Sequence, residues 1–300
     1  MHMHDTIQNF RTAMLDAGLT PPDVIEADGQ LHRFHVHSDK PGTRNGYYVL
    51  HPDGRAAGMF GSWKTGLRST WVADGKRMSE AERETFSKLI EAARVKSQAE
   101  RRAEHEARAI EARAEWDAAA PADPAPADPA HPYLTRKGVK PHNLRQRGGL
   151  LIVPLFDAFG LLWNVQRIQA DGGKRFKPGR AGGLFSPIGD FTNPTTILIC
   201  EGWATGATLH EETGHPVLCA MNAGNLLAVA TAARSGWAGA DLVIAADNDR
   251  QTEGNPGVTY ATAAAKATGA KLIVPQFPDG VPGSDFNDLA MLRRKGGRHE

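Results

Sequence analysis

Glu201 and the pair Asp247/Asp249 are the residues of this chain best placed to do chemistry. Each follows a short apolar run. TILIC, residues 196–200, leads into Glu201-Gly202, and LVIAA, residues 242–246, leads into Asp247-Asn248-Asp249. Runs that are apolar on both faces and bounded by polar residues are the signature of buried parallel strands. In open α/β sheets the carboxyl ends of such strands carry the site. Three carboxylates gathered there repel one another unless a cation sits among them. Their hard oxygens suit Mg²⁺ or Mn²⁺.

The intervening residues supply the elements that would hold them. WATGATLHEE predicts a helix ended by Gly214, PVLCAM a strand, and residues 225–234 a helix. After DLVIAA come a small-residue helix, VTYATAAAKA, ended by Gly269, and the strand KLIVPQF. Ser284 is expected to N-cap a last short helix, DFNDLAML. Strands alternating with helices of this length imply right-handed βαβ crossovers and a parallel sheet.

A Glu after one strand and Asp-x-Asp after a later one resembles the Toprim domain. That domain is shared by bacterial-type DNA primases, topoisomerases, some nucleases and recombination mediators. The resemblance covers residues 195–292 and extends more weakly back to about 131. It implies an α/β fold, with a Toprim-type parallel sheet and flanking helices. It also implies a metal site of Glu201, Asp247 and Asp249, supported by Asp285 and Asp288 in SDFNDLA.

Net charge is only +1, but it is unevenly spread. Residues 131–190 hold ten Lys/Arg and three acids, whereas residues 191–290 hold ten acids and four bases. A basic segment beside an acidic metal-binding domain suits a polyanion held over metal ions, though the two halves could simply attract each other. LLIVPLFDAFGLLWNVQRIQ predicts a β-hairpin turning at DAFG. GGKRFKPGRAGGLFSPIG then reads as a glycine-rich basic loop in which Lys174, Arg175, Lys177 and Arg180, with Arg167 before them, could grip phosphates. The segment resembles the basic half of the primase polymerase core, which implies an α+β subdomain over 133–194 that binds template and nucleotide.

Residues 1–78 are expected to form a small β-rich domain, since short strand-like runs alternate with Gly, Pro and Asp turns. Phe34, Tyr47, Tyr48, Phe60, Trp63 and Trp71 lie among Arg33, Arg44, Lys64 and Arg68. Such a mixture can bind single-stranded template, or the aromatics can be the core of a small sheet. His32, His35, His37 and His51 offer metal ligands. No cysteine precedes Cys200, so the zinc ribbon usual at this end of bacterial-type primases is not expected. Residues 79–132 read as a charged helix, nearly polar all round beyond Val95, followed by a Pro/Ala spacer at 120–132.

The two cysteines are too few for a disulfide scaffold, no apolar run approaches a membrane span, and the amino terminus lacks an apolar secretion core. A cytoplasmic protein is expected. No GxxxxGK[ST] motif is present, and four tyrosines with no large second domain do not suit a topoisomerase. The resemblance therefore implies a DNA primase, a nucleotidyltransferase making short RNA primers for phage, plasmid or mobile-element replication. Its partners would be single-stranded DNA, ribonucleoside triphosphates and a replicative helicase. A Toprim nuclease and a non-catalytic replication or recombination factor remain the alternatives.

Overall fold

The computed structural model describes residues 3–37, 39, 42–52, 55–75, 79–119, 127–278 and 280–296. The chain forms two compact units that divide between Arg102 and Ala103. The division falls inside a helix rather than at the Pro/Ala spacer, of which residues 120–126 lie outside the described residues.

The first unit opens with helix α1 (Met3–Asp16), which the strand-like reading of residues 1–78 did not anticipate. Its Phe10 and Met14 are fully buried, with Ile7 and Ala13 packed beside them, a helical stripe in a polar sequence. The stripe packs with residues of an antiparallel sheet ordered β1 (His32–Phe34), β2 (Gly46–His51), β3 (Ala57–Ser62), β4 (Arg68–Val72). Phe34, Tyr47, Tyr48 and Phe60 are buried, so these four aromatics are core. Helix α2 (Glu80–Ala118) follows, and its Phe86 and Ile90 pack with Tyr47, Val49 and Met59 of this sheet.

The second unit begins with the last turns of α2. There the helix is not polar all round, because Ala109, Ala112, Glu115 and Ala119 are buried. This small-residue stripe recurs at near-heptad spacing and brings the helix backbone close to a sheet. The sheet is β5 (Arg145–Arg147), β6 (Leu150–Phe156), β7 (Leu162–Ile168) and β8 (Lys174–Phe176), all antiparallel, and the helix packs with its Ile152, Leu162 and Val165. Between them in sequence lies α3 (Pro132–Lys137), capped by His131. Ala127, near the end of the expected spacer, is 1% exposed, and its N–H donates to Leu144 O. The β6–β7 hairpin turns at Asp157, whose carboxylate accepts from the N–H groups of Phe159 and Leu161 and from Trp163 Nε1. Lys174–Phe176, expected as loop, pairs with β7 through a tight Asp171-Gly172-Gly173 turn.

The remaining elements are β9 (Ser186–Ile188), β10 (Thr196–Cys200), α4 (Trp203–Thr213), β11 (Val217–Cys219), α5 (Leu226–Gly236), β12 (Asp241–Ala245), α6 (Pro256–Thr268), β13 (Lys271–Ile273) and α7 (Phe286–Gly296). They form an α/β domain whose sheet order is β13-β12-β10-β11-β9, parallel except for β9. Both faces are covered. Leu198, Cys200, Val217 and Cys219 pack with α4, while Ile197, Ile199, Leu218, Leu242 and Ile244 pack with α5 and α6. This alternation explains why β10 and β12 read as continuous apolar runs. Cys200 and Cys219 are free, buried and adjacent, small hydrophobes of this core.

Candidate metal and nucleotide site

Glu201 leaves the end of β10 at the sheet centre, and Asp247 follows β12 beside it. The β11–α5 loop crosses Glu201, with Met221 N–H donating to its backbone O at 2.6 Å and the Ala223 N–H reaching its carboxylate. Met221 holds φ +70°, a left-handed conformation costly for a non-glycine residue. Neither the strained Met221 nor the Ala223 donor had a signature in the sequence.

Asp249 is fixed by α6. Its Oδ2 accepts the Gly257 N–H at 3.1 Å, on the first turn of the helix, where backbone donors favour a carboxylate. Gly257 is needed because a Cβ there would stand 2.3 Å from Asp247 O. We therefore expect Gly257→Ala to shift the Asp247–Asp249 turn and to cut activity by at least about tenfold, as misplacement of a reacting group does. The lost stability should be only about 1–3 kcal/mol, the cost of overpacking, measured by urea unfolding.

Asp285 and Asp288 are placed by the start of α7. The helix begins at Phe286, so Asp285, rather than Ser284, accepts the Asp288 N–H, at 2.7 Å. Asp288 Oδ2 accepts from Ser284 N–H, and its Oδ1 lies 3.4 Å from Lys137 Nζ. Both Asp288 oxygens thus have partners, and they join α7 to α3. Asn287 adds to this joint by donating to Lys137 O and Thr208 Oγ1. A cleft of about 340 Å³ opens beside Asp249 and Asp288, walled by Asn248–Thr252 and Pro282–Ser284.

The electrostatics single out two carboxyls. Burial raises Asp247 to a pKa of about 8, and Glu201, Asp285 and Asp249 push the same way, while Lys174 opposes them. Burial and Asp249 raise Glu201 to about 7, against the Ala223 N–H. Glu201 Oε1 and Asp247 Oδ1 are buried with no hydrogen-bond partner. Two orphaned carboxylate oxygens in an acidic cluster are a donor set that fits a hard divalent cation. The ligand oxygens of Glu201, Asp247 and Asp249 do not draw within 4.8 Å of one another as a trio. Among the described residues the set that does is Glu26, Asp28 and His32, of which the two acids are exposed. His35, His37 and His51 are not part of it; His35 bonds Thr43 O and His51 packs on Phe86.

The basic residues divide. Lys174 on β8 is exposed as a residue, but desolvation around its ammonium and Lys137 lower its pKa, while the charges of Asp285 and Asp247 pull it back up. It also lies 5.8 Å from the ring of the buried Tyr133. Arg175 is exposed on the same strand. Arg180 stacks 5.0 Å over Trp163 and bonds Gly182 O. Arg167, in contrast, is bidentate to Glu115 at 2.6 Å on each arm, and Lys177 lies 3.4 Å from Glu111 and 3.6 Å from Glu115. These two brace α2. Buried Asn225 holds the far end of the glycine-rich segment, accepting from Gly183 N–H and donating to Leu184 O and Ala220 O.

The brace has a pH signature. Hydrogen bonding to Arg167 holds Glu115 below its ordinary value of 4.5. A depressed carboxylate contributes stability above its unfolded pKa and loses it as pH falls through the folded one. The stability difference between the wild type and Glu115→Gln should therefore shrink as pH is lowered below about 4.5, followed by thermal melts. A difference independent of pH would remove Glu115 from the brace.

Residues 196–296 match the family model of the Toprim domain. Over that stretch the chain is similar to the Toprim domain. It is also similar to two DNA primases TraC of Escherichia coli. One is 39% identical over 264 residues, which is 84% of this chain and 24% of the relative. The other is 36% identical over 286 residues, 90% of this chain and 19% of the relative. The chain thus spans about a quarter or less of the length of the curated relatives it matches. Among solved structures, the DnaG catalytic core gives a TM-score of 0.39 at 14% identity, over 59% of this chain and 74% of that chain. No described helix is long and apolar enough to cross a membrane.

Proposed function

We propose that this chain is the catalytic part of a DNA primase, a metal-dependent nucleotidyltransferase that joins ribonucleoside triphosphates into short RNA primers on single-stranded DNA. The replication of a plasmid, phage or other mobile element is its setting, the cytoplasm its location and a replicative helicase its partner. The observation that carries the reading is that Lys174 of the basic sheet lies close enough to Asp247 and Asp285 of the Toprim-like domain for their charges to act on one another. A nuclease needs only the acids and a water, whereas a polymerase must also hold a triphosphate beside them. The long similarity to DNA primases TraC supports the same choice.

In this reading Asp247 and Asp249 are the principal ligands of Mg²⁺ or Mn²⁺, with Glu201 and Asp285 beside them. A bound ion supplies Lewis-acid stabilisation of the transferring phosphoryl group and of the attacking 3′-hydroxyl. Glu201, with a pKa of about 7, can hold or release a proton at neutral pH and is the candidate proton acceptor. Lys174 neutralises triphosphate charge, and exposed Arg175 and half-buried Arg180 are placed for template phosphates. Arg167 and Lys177 keep α2 in place so that β8 presents Lys174 correctly. Residues 3–75, with the first part of α2, contact the template.

The test is incubation of the chain with single-stranded DNA, labelled nucleotides and Mg²⁺ or Mn²⁺. Labelled oligomers longer than a dinucleotide are expected. Shortening of the DNA without incorporation would replace the reading with a nuclease.

A further inference from the structure

The first unit holds a cationic cleft that neither the metal site nor the sheet core uses. It has a volume of about 270 Å³ and is lined by Arg33, Asn45, Trp63, Arg94, Gln98 and Arg101. Two elements build it. One wall is the end of the β1–β3 sheet, and the other is α2 at a seven-residue spacing, which places Arg94 and Arg101 on one helix face two turns apart.

The sheet wall is rigid. Trp63 stacks on Tyr47 with ring centroids 4.6 Å apart, and Arg33 lies 4.8 Å over Trp63. Arg33 also donates from Nε and Nη2 to Arg44 O, so its guanidinium is fixed in plane and position. The ring of Trp63 is thus engaged by Tyr47 and by Arg33, and the cleft is not lined by aromatics alone. It offers guanidinium groups.

Those groups crowd one another. Burial lowers the Arg33 pKa, and nearby Arg101 and Arg44 lower it further, so the folded protein holds these like charges together at a cost. The acids at hand are already engaged. Glu91 is bidentate to Arg94, and Asp39 pairs with Lys64 and accepts from Asn45. Among the described residues Arg101 forms no ion pair. A rigid, partly desolvated guanidinium cluster with spare charge is built for an anion with several acceptor oxygens, and phosphate matches the planar fork of arginine.

We propose that this cleft is a phosphate-binding site that grips the backbone of single-stranded DNA through Arg33, Arg94 and Arg101. This deepens the primase reading by naming where the first unit touches its template. It also moves the contact from the aromatic sheet face, which is core, to the junction of sheet and helix. A grip made by guanidinium groups on phosphates is independent of sequence and strongly salt-dependent.

The experiment titrates the full chain with a labelled single-stranded oligonucleotide across a salt series, and in parallel with ATP. Arg94→Ala/Arg101→Ala is compared with Lys96→Ala, an exposed base on the same helix outside the cleft. Arg94 and Arg101 are exposed helix positions, so melting should be unchanged. The double variant is expected to bind DNA at least about tenfold more weakly and to lose roughly 0.7 of salt slope per phosphate contact on a single strand. Lys96→Ala should do neither. Unchanged DNA affinity and slope in the double variant would overturn the proposal. Loss of ATP binding with unchanged DNA binding would reassign the cleft to a free nucleotide and overturn it as a strand site. Primer synthesis is assayed alongside. A wild type that binds DNA through the cleft but incorporates no nucleotide sinks the primase reading alone, and intact synthesis with cleft-independent binding sinks the cleft alone.

Discussion

Asp247→Asn should abolish metal-dependent nucleotide incorporation and, in chelator, make the folded protein more stable than the wild type at alkaline pH. The first effect follows if Asp247 is a ligand whose loss removes charge stabilisation realised in the transition state, worth at least about 10²–10³ in rate. The second follows from electrostatics. Asp247 has its folded pKa raised from 3.8 to about 8 by burial and by Glu201, Asp285 and Asp249. Below the unfolded value both states carry the proton and the site costs nothing. As pH rises toward the folded value the unfolded chain ionises freely while the folded one resists, so stability is lost and stays lost above it. An amide of the same shape escapes that cost. Discounted for Lys174 and water, the gain is on the order of a few kcal/mol at pH 9, or roughly 5 °C in melting temperature, and close to nothing at pH 4. Mg²⁺ should raise the melting temperature of the wild type and not of the variant. Equal activity with metal in excess, or a melting gain that ignores pH, would take Asp247 out of the metal site.

That the acidic site was legible in the sequence is a consequence of its strands. A strand buried on both faces must be apolar throughout, so a carboxylate at its end stands out, and Glu201 and Asp247 mark the ends of β10 and β12. What escaped were features carried by small or ambiguous residues. The docking stripe of α2 is alanine at 109, 112 and 119, which a hydropathy pattern cannot tell from helix filler. Helix α1 hides its three core residues among polar ones. Arg167 and Lys177 carry the same charge as Lys174, and only the third dimension shows that Glu111 and Glu115 reach them from a helix more than 50 positions away. Aromatics among arginines left two readings open, a nucleic-acid surface or a sheet core, and the burial of Tyr47, Tyr48 and Phe60 decides for the core.

A fragment of residues 103–300 should fold cooperatively, whereas one of residues 131–300, cut at the apparent end of the Pro/Ala spacer, should not. The shorter piece keeps both sheets and every acidic residue of the site. It loses the last turns of α2, which cover Ile152, Leu162 and Val165 on the β6–β7 face. Each large apolar side chain returned to water costs about 1.5–3 kcal/mol. Arg145 also loses Trp116, over whose ring it lies at 4.1 Å and whose backbone O it bonds at 2.8 Å. Ala127, which donates to Leu144 O and sits in the core with Tyr133 and Leu134, goes too. Together these losses rival the total stability of an ordinary domain, about 5–15 kcal/mol. Urea unfolding followed by circular dichroism separates the outcomes: a single steep transition for 103–300, and a shallow or absent one for 131–300. The longer fragment should keep metal-dependent incorporation, because Lys174 stays supported through Arg167, Lys177 and Glu115. Its affinity for single-stranded DNA should fall to what the basic sheet alone provides, since the Arg33–Arg94–Arg101 cleft has been removed. Matching midpoints and slopes for the two fragments would mean that α2 is only a connector and that the Toprim domain and basic sheet stand without it.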